Sequence, residues 1–316
     1  MDNITFTGAI RDKKDKRDYQ YSDVGMSMPP FDWDKGYDVE DEIGMKLITK
    51  DQNGSYSCGG QAVSYYGQVI DSDHSEKSAK FIYSQVYEGT GGSAVKPLID
   101  LTKNKGFGLE SLTTSYEAGL PPKEPFMQRA SDITAEAFAE AIKHESLSYA
   151  SVKFNIDDIA QAIRDNKGCI IGIEGENNGT WRTAFPVAIK VKWSGWNHYL
   201  YAGKAKMING KKYIGIKNSW GSNCGDNGWQ WLDEGHMKAI WSVFTLVFNF
   251  PKFKFENNLK LGNKNNDVKE LQKRLGVIQT GLFWVLTRNA VIEYQKKHGL
   301  VPDGIVGVKT RTVLNS

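Results

Sequence analysis

The chain has 316 residues, 40% of them apolar, and its 40 Lys and Arg residues nearly balance 37 Asp and Glu residues, for a net charge of +3. This length suits two domains of unequal size, and nine Trp, fourteen Tyr and fourteen Phe residues can fill a core. The near-even charge argues against nucleic acid as the main partner, and no apolar run reaches the length of a membrane span.

Residues 1–29 are predicted to form an irregular N-terminal extension. Within it, Arg11–Arg17 holds five basic and two acidic residues, which is typical of a solvated arm. The first residues lack the apolar core of a secretory signal. We therefore expect synthesis in the cytoplasm, unless a leader segment precedes this sequence.

The stretch Asp51–Ala62, DQNGSYSCGGQA, places Gln52 six residues before Cys58 and leads into a predicted helix over Gln61–Val69. A thiol at a helix N-terminus is favoured as the nucleophilic thiolate by the helix dipole and the unpaired N–H groups. An upstream glutamine can donate to an oxyanion that forms beside the sulfur. Taken alone, however, the stretch favours a buried structural cysteine, because free Cys commonly packs as a small core residue.

The remaining cysteines and histidines indicate no metal site. Three cysteines are too few for a disulfide framework, and no His, Cys, Asp and Glu spacing is typical of zinc binding. Cys169 lies in an apolar predicted strand and is expected to pack in the core, whereas Cys224 lies in a loop and is expected to be incidental. Because no phosphate-binding glycine loop occurs either, we expect no metal and no cofactor.

Further along, the Pro-rich stretch Leu120–Pro125 separates a half rich in helices from a half rich in strands. Apolar spacing predicts amphipathic helices at Ser78–Glu88, Ala94–Lys105, Ile133–His144 and Ile156–Asn166. Alternating β-branched and aromatic residues predict strands at Val187–Val191, His198–Ala205, Lys212–Asn218 and Ser242–Phe250.

A tight turn is predicted at Ile208–Lys211, which has Asn-Gly at its centre. This hairpin would join the strand of His198 to the strand that enters Asn218, and so it would bring the two side chains together. The pairing matters because a cysteine nucleophile needs a base, and the base needs an orienting partner.

The order Cys58, His198, Asn218 resembles that of the papain-like cysteine peptidases, as do the spacing of Gln52 to Cys58, the Asn-His pair and the run KNSWG…GDNGW. The resemblance covers roughly residues 30–250. It implies an α+β fold with a helical lobe and a β-barrel-like lobe. It also implies that Cys58 attacks a peptide carbonyl and that His198 moves the proton. Asn218 would hold the imidazole, and Gln52 would bind the oxyanion.

The same resemblance implies three substrate-binding residues. Gly91 and Gly92 would form the floor of the main specificity pocket, although a flexible inter-helix loop is an equally good interpretation of this pair. Trp220 would shield the His–Asn hydrogen bond from water. This chain departs from the family at Gly59, where Trp is usual, and the smaller residue is expected to loosen one wall of the cleft.

After a predicted linker at 251–258, residues 259–316 are predicted to form a small three-helix domain. Its helices are expected at Asn263–Leu275 with a cap at Asn266, at Thr287–His298 and within Pro302–Leu314. The pieces YQKKHGL and DGIVG resemble the peptidoglycan-binding modules of bacterial and phage wall hydrolases. Residues 256–316 hold ten Lys and Arg against five Asp and Glu, which suits an anionic cell wall.

Taken together, these patterns predict a monomeric cysteine endopeptidase with its peptidase domain at residues 30–250. Its substrate would be a peptide or a peptidoglycan stem peptide, and residues 259–316 would bind the bacterial cell wall, as in a phage endolysin or a bacterial wall hydrolase. The protein would act at the wall after release from the cytoplasm or as part of a virion. Two alternatives stay open. The first is a catalytically weak or inactive papain-like scaffold that binds the wall, and the second is a general or virion-associated protease.

Overall fold

The chain folds as two compact units, residues 1–248 and 249–316. The computed structural model describes residues 8–13, 20–21, 29–144, 148–188, 195–247, 255–275 and 277–315. The predicted N-terminal extension is therefore described only in part. Residues 251–254 of the predicted linker lie outside these ranges, so the linker stays a prediction.

Helices dominate the first part of the larger unit. Seven α-helices lie among its described residues, namely α1 (Val39–Glu42), α2 (Cys58–Ile70), α3 (Ala79–Tyr83), α4 (Val95–Lys105), α5 (Glu124–Met127), α6 (Ala135–Ala141) and α7 (Ile156–Asn166). The bounds of α7 agree with the prediction. By contrast, α6 begins only after Thr134, whose hydroxyl oxygen caps it by accepting the Ala137 N–H. No helix among the described residues is long and apolar enough to cross a membrane.

Helix α3 is much shorter than the predicted helix over residues 78–88, because the chain turns after Tyr83. The N–H groups of Val86 and Tyr87 both donate to the Tyr83 carbonyl, at 3.1 Å each. The Glu88 N–H then donates to the Gly92 carbonyl at 2.8 Å and closes a loop. This loop takes the place of the last predicted helical turn.

Helix α2 runs through the core of the larger unit. It is buried from Cys58 to Val69, so it is covered on all sides rather than on one stripe. Two glycines allow its neighbours to approach closely. A Cβ on Gly60 would lie 2.9 Å from the Ala79 carbonyl oxygen, and one on Gly67 would lie 2.3 Å from the Phe107 ring. The tight packing holds the N-terminal end of α2, and with it Cys58, in a fixed place.

The described strands of the larger unit form one sheet of seven strands, all paired antiparallel. They are β1 (Tyr37–Asp38), β2 (Ser148–Ser151), β3 (Cys169–Gly175), β4 (Trp196–Ile208), β5 (Lys211–Lys217), β6 (Trp229–Asp233) and β7 (Ile240–Val247). The order across the sheet is β2-β7-β3-β4-β5-β6, and β1 pairs with β4. The α+β fold class is therefore confirmed.

Only some of the predicted strands are confirmed. Strands β4 and β5 and the hairpin between them are confirmed, and Asn209 and Gly210 have positive φ angles of 49° and 75°, as a tight hairpin turn requires. The strand predicted over residues 187–191 is absent at 187–188, and residues 189–191 lie outside the described residues. Strand β7 begins at Ile240, two residues earlier than predicted.

A buried carboxylate fixes β4 and β6 near the predicted site. The Glu40 carboxylate accepts hydrogen bonds from Lys204 Nζ at 2.8 Å, Trp229 Nε1 at 3.1 Å and the Leu47 N–H at 2.9 Å. Burial alone would raise its pKa, but these hydrogen bonds and the Lys204 charge prevail and lower the pKa of Glu40 to about 2. The residue is thus a charged anchor under the sheet.

The smaller unit has its own core and three helices among its described residues, α8 (Asn266–Arg274), α9 (Val285–Lys297) and α10 (Val308–Asn315). This confirms the predicted three-helix domain, although the predicted cap at Asn266 is wrong. The Val268 N–H bonds to the side chain of Asn265, one residue earlier. Two buried glutamines lie 23 residues apart and make similar hydrogen bonds. Gln272 donates to the Leu282 carbonyl and holds the loop before α9, and Gln295 donates to the Ile305 carbonyl and holds the loop before α10.

Candidate active site

Cys58 lies at the first position of α2 and is fully buried. Burial raises the pKa of the Cys58 thiol to about 12, although the backbone N–H groups of Tyr199 and Gly59 hydrogen-bond to it and lower the pKa. Tyr199 follows His198 in β4, so the thiol lies beside the strand that carries the predicted base. Burial thus disfavours the thiolate, which is the nucleophilic form of the side chain.

His198 and Asn218 meet as the hairpin predicted. His198 lies in β4, and Asn218 follows the last residue of β5. The His198 Nε2 atom lies 2.9 Å from Asn218 Oδ1, and both side chains are fully buried. The Asn218 N–H also donates to the Gly228 carbonyl at 2.8 Å, which fixes the backbone at this point. The two residues therefore have the geometry of a base and its orienting partner.

Aromatic rings cover this pair. The Trp220 ring stacks on the His198 ring with centroids 4.7 Å apart and an interplanar angle of 28°. Trp196 contacts Trp220 edge-on at 5.2 Å, and Trp181 contacts Trp196 edge-on at 4.8 Å. The three rings lie beside the His–Asn pair, and the shielding of its hydrogen bond by Trp220 stays a prediction. A substrate contact of Trp220 stays a prediction.

Gln52 is linked to the strand of Asn218 through Ser219. The Gln52 N–H donates to the Ser219 carbonyl at 2.8 Å, and the Ser219 hydroxyl donates to Gln52 Oε1 at 2.7 Å. On the other side, Gln52 Nε2 donates to the Ser55 carbonyl at 2.8 Å. The carboxamide is buried with its NH2 group on the side of the loop that enters Cys58. This orientation suits an oxyanion donor, and that role stays a prediction.

The glycine pair predicted as a pocket floor has a backbone that requires glycine. Gly91 and Gly92 have φ angles of 151° and 92°. A Cβ on Gly91 would lie 2.5 Å from the Glu124 carboxylate. The Gly92 N–H donates to the Tyr83 hydroxyl at 2.5 Å. The pair therefore forms a fixed loop beside Tyr83 of α3 and Glu124 of α5, and its role in substrate binding stays a prediction.

Residues 8–13, here called the N-terminal segment, lie along this glycine loop. The Ser93 N–H donates to the Gly8 carbonyl at 2.9 Å, and the Ile10 N–H donates to the Ser93 carbonyl at 3.0 Å. A Cβ on Gly92 would lie 2.7 Å from the Gly8 carbonyl oxygen. The N-terminal segment thus forms backbone hydrogen bonds with the loop that was predicted to bind substrate.

Asp12 anchors the other end of the N-terminal segment. Its carboxylate accepts the N–H groups of Val95 at 3.3 Å and Lys96 at 2.9 Å, in the first turn of α4. The Tyr199 hydroxyl lies 2.9 Å from the same carboxylate and 2.7 Å from the Ile10 carbonyl oxygen. Burial raises the pKa of Asp12 against the lowering effect of these hydrogen bonds. The segment therefore contacts Tyr199, the residue next to the predicted base.

The wall at Gly59 is filled, contrary to the expectation that the small residue would loosen it. A Cβ on Gly59 would lie 2.6 Å from Leu98 Cδ1, 3.0 Å from Ser93 Oγ and 3.5 Å from the Tyr199 ring. These side chains occupy the space that a larger residue would need. The wall beside Gly59 is therefore closed rather than open.

The larger unit has the papain-like fold. Similar solved structures are xylellain, a cysteine protease from Xylella fastidiosa, with 18% identity, 77% of this chain and 96% of that chain covered and a TM-score of 0.60. Procathepsin L2 from Tenebrio molitor has 15% identity, coverage of 77% and 78% and a TM-score of 0.58. Bromelain from Ananas comosus has 19% identity, coverage of 68% and 99% and a TM-score of 0.53. At such identities the likeness shows the fold.

The smaller unit is similar to a different family. Residues 264–314 match the model of the family described as "Putative peptidoglycan binding domain". This match agrees with the predicted three-helix module, whose described helices fall within residues 266–315. A comparison with curated protein sequences finds no match.

Two residues of the papain-like unit that contact Asn218 were not predicted. Cys224, expected to be incidental, is fully buried with its sulfur 3.7 Å from Asn218 Nδ2 and 3.7 Å from the Trp181 carbonyl oxygen. Burial raises its pKa to about 12. Gln230 in β6 accepts a hydrogen bond from Asn218 Nδ2 at 2.8 Å. The alternation of Gln230 with Trp229 and Trp231 would place it on the solvent face of a strand, so the sequence gives no signal for its burial.

The described residues contain no group of three His, Cys, Asp or Glu side chains that could hold a metal ion. The predicted catalytic and substrate-binding residues, from Gln52 to Trp220, all lie in the larger unit.

Proposed function

We propose that the chain is a cysteine endopeptidase in which Cys58, His198, Asn218 and Gln52 form the active site. The observation that carries the proposal is the hydrogen bond of 2.9 Å between His198 and Asn218. The backbone N–H of Tyr199, the residue after His198, bonds to the Cys58 thiol at the N-terminus of a buried helix, in a papain-like fold. This arrangement supplies a nucleophile, a base and an orienting group, which is the set that acyl transfer through sulfur needs.

The chemistry would proceed in two steps. His198 takes the Cys58 proton, the thiolate attacks the scissile carbonyl, and Gln52 and the Cys58 N–H stabilise the oxyanion. The C–N bond breaks as His198 gives its proton to the leaving amine, which leaves a thioester on Cys58. A water molecule then attacks the thioester with His198 as the base, and the C–S bond breaks to release the acid and restore the thiol.

The substrate that we propose is peptidoglycan or a protein attached to it, with the smaller unit bound to the bacterial wall. The match of residues 264–314 to a peptidoglycan-binding family supports this partner. A phage endolysin and a bacterial wall hydrolase both fit such a chain, which would act at the wall after release from the cytoplasm. The test is digestion of purified peptidoglycan, with new amino termini identified by mass spectrometry. Walls without new amino termini would contradict the proposal.

The N-terminal segment is expected to limit access to Cys58. Deleting residues 1–13 should speed alkylation of Cys58 by an epoxide reagent by about 10- to 50-fold, because hydrogen bonds of about 1 kcal/mol each hold the segment in place. The same deletion should raise kcat/KM on a small peptide. The measurement is the time course of the single alkylated species by mass spectrometry.

Two substitutions in the full chain separate the segment's docking from the loss of residues. Asp12→Lys should act like the deletion, because an ammonium cannot accept the N–H groups of Val95 and Lys96 and is repelled by the helix N-terminus. Lys13→Ala is the matched control, since Lys13 contributes its backbone carbonyl to Lys96 Nζ. If Cys58 is alkylated no faster in the deletion variant and in Asp12→Lys than in the wild type, the N-terminal segment does not control access to Cys58.

The smaller unit is expected to direct the enzyme without altering its chemistry. A fragment of residues 255–316 should sediment with purified peptidoglycan, whereas residues 1–248 should stay in the supernatant. Removing residues 255–316 should leave kcat/KM on a soluble peptide within about twofold and weaken solubilisation of walls by about tenfold or more, because the module raises local concentration at the polymer.

Salt separates the two contributions to wall binding. The share that is due to the excess of Lys and Arg should fade as ionic strength rises, and a contact with sugar or stem peptide should persist. A fragment that stays in the supernatant at low salt would contradict wall targeting. A general or virion-associated protease would then be the better interpretation, and wall binding without peptide hydrolysis would favour an inactive scaffold.

A further inference from the structure

Gln230 lies fully buried behind the predicted active site, and its carboxamide makes three hydrogen bonds. Its Nε2 donates to the Trp181 carbonyl and to the Thr183 carbonyl, both at 2.8 Å. Its Oε1 accepts from Asn218 Nδ2, also at 2.8 Å. The side chain thus joins the loop of Trp181 to the residue that orients His198.

The partners of Gln230 fix which end of its amide is oxygen. Two carbonyl oxygens face one end, and because a carbonyl can only accept, that end must be the NH2 group. The other end must then be the oxygen, and it requires a donor. Asn218 therefore has its NH2 group toward Gln230.

The same logic passes on to His198. With its NH2 group toward Gln230, Asn218 presents Oδ1 to the imidazole, and the Ser219 N–H donates to that oxygen at 2.8 Å. The atom 2.9 Å away, His198 Nε2, must carry a proton to complete the hydrogen bond. The neutral imidazole then has its lone pair on Nδ1, the nitrogen that has to accept the thiol proton.

The backbone keeps this chain of amides in register. Strand β6 pairs with β5 so that Gln230 lies opposite Ile216, and the Asn218 N–H is held by the Gly228 carbonyl. Burying a carboxamide is unfavourable unless its groups are bonded, and an apolar side chain would suffice to fill this position. Packing of the core alone therefore does not explain why residue 230 is a glutamine.

We propose that Gln230 is a positioning residue that fixes the amide orientation of Asn218 and, through it, the tautomer of His198. The proposal rests on the proposed function of the site. It predicts that the loss of Gln230 lowers the rate of the chemical step more than it weakens substrate binding.

The first test reads the tautomer directly and needs no activity. His198 is observed by nitrogen-15 NMR in the Cys58→Ala background at about pH 8.5, where an imidazole is ordinarily neutral. Its signals are assigned by comparison with a sample that also carries His198→Asn. We expect the Nε2–H tautomer with Gln230 present, and a mixture of tautomers or the Nδ1–H form in Gln230→Leu.

The second test uses kinetics with Cys58 intact. Gln230→Leu should lower kcat by about 10- to 50-fold, within the range of a lost general-base geometry, with KM changed by less than about threefold. Gln230→Glu has the same shape, but its carboxyl can donate to a carbonyl only when it is protonated. Once ionised, it is repelled by the Trp181 and Thr183 carbonyls and is no longer held in place beside Asn218. Its activity should therefore approach that of the wild type at low pH and fall more steeply than the wild type as pH rises.

Thr245→Val is the matched control for loss of a buried hydrogen bond in the same unit. The Thr245 hydroxyl donates to the Gly168 carbonyl at 2.9 Å, and in the described part of the chain no hydrogen bond joins Thr245 to Asn218. It should lower thermal stability and leave the tautomer and kcat unchanged.

The outcomes distinguish failure of this proposal from failure of the proposed function. An unchanged Nε2–H tautomer in Gln230→Leu, or a kcat within about twofold of the wild type, would overturn the positioning role. If the wild type neither turns over peptides nor reacts at Cys58, the proposed function fails, and the NMR comparison still decides the role of Gln230. If Gln230→Leu does not fold, the pH profile and NMR spectrum of Gln230→Glu decide it.

Discussion

Replacing Cys58 by Ala is expected to lower kcat/KM by at least about 10⁴-fold on any peptide that the wild type cleaves, because no other group can form the thioester. The fold should be retained, because the substitution at the first position of α2 removes only one sulfur atom. The measurement compares turnover of wild type and variant at equal concentrations, with circular dichroism as the check on folding.

A second thiol, that of Cys169, gives the control for this prediction. Cys169 is fully buried in β3, and burial raises its pKa above its usual range. Cys169→Ala should therefore keep turnover and still bind one epoxide molecule, whereas Cys58→Ala should bind none. An epoxide adduct on Cys58→Ala, or turnover that survives in that variant, would show that the nucleophile is another residue.

The larger features of the site could be predicted because short segments determine them. Asn209 and Gly210 specify a tight turn, and a two-residue turn sets the register of the strands on both sides. That register brings His198 and Asn218 to 2.9 Å. The helix predicted over Gln61–Val69 was likewise indicated by its own residues. In the structure it begins earlier, at Cys58, and is buried on all sides.

Contacts between distant segments could not be predicted. The basic and acidic run of Arg11–Arg17 has the composition of a solvated arm, yet Asp12 binds the first turn of α4. Helix N-termini attract carboxylates, but composition does not say which of many carboxylates reaches which helix. Gln230 was missed for a similar reason, because its importance comes from Trp181 and Thr183, which are nearly fifty residues earlier.

Helix lengths failed where capping decided them. The apolar spacing over residues 78–88 fits one helical face, but α3 ends at Tyr83, where the carbonyl accepts from two later N–H groups. A periodic pattern gives the direction of the buried face and gives little information on where the chain turns. The same limit explains the cap of α8, which is Asn265 and not its neighbour.

Gln52→Ala is expected to lower kcat by about 10²- to 10³-fold, the usual loss for one oxyanion donor, with little change in KM. The reason lies in the fixed amide. Oε1 accepts from the Ser219 hydroxyl and Nε2 donates to the Ser55 carbonyl, so the NH2 group is held on the side of the loop that leads to Cys58. The measurement is the steady-state rate on a small peptide at saturating concentration.

Gln52→Glu and Ser219→Ala separate the donor from the packing around it. The first keeps the shape and removes the donor, so its kcat should fall nearly as far as that of Gln52→Ala. The second removes only the hydroxyl that orients Oε1, and because the donor remains, its kcat should fall by less than about tenfold. A Gln52→Ala variant that loses affinity but keeps kcat would mean that Gln52 binds the ground state. The oxyanion would then have to be stabilised by the Cys58 N–H and groups outside the predicted set.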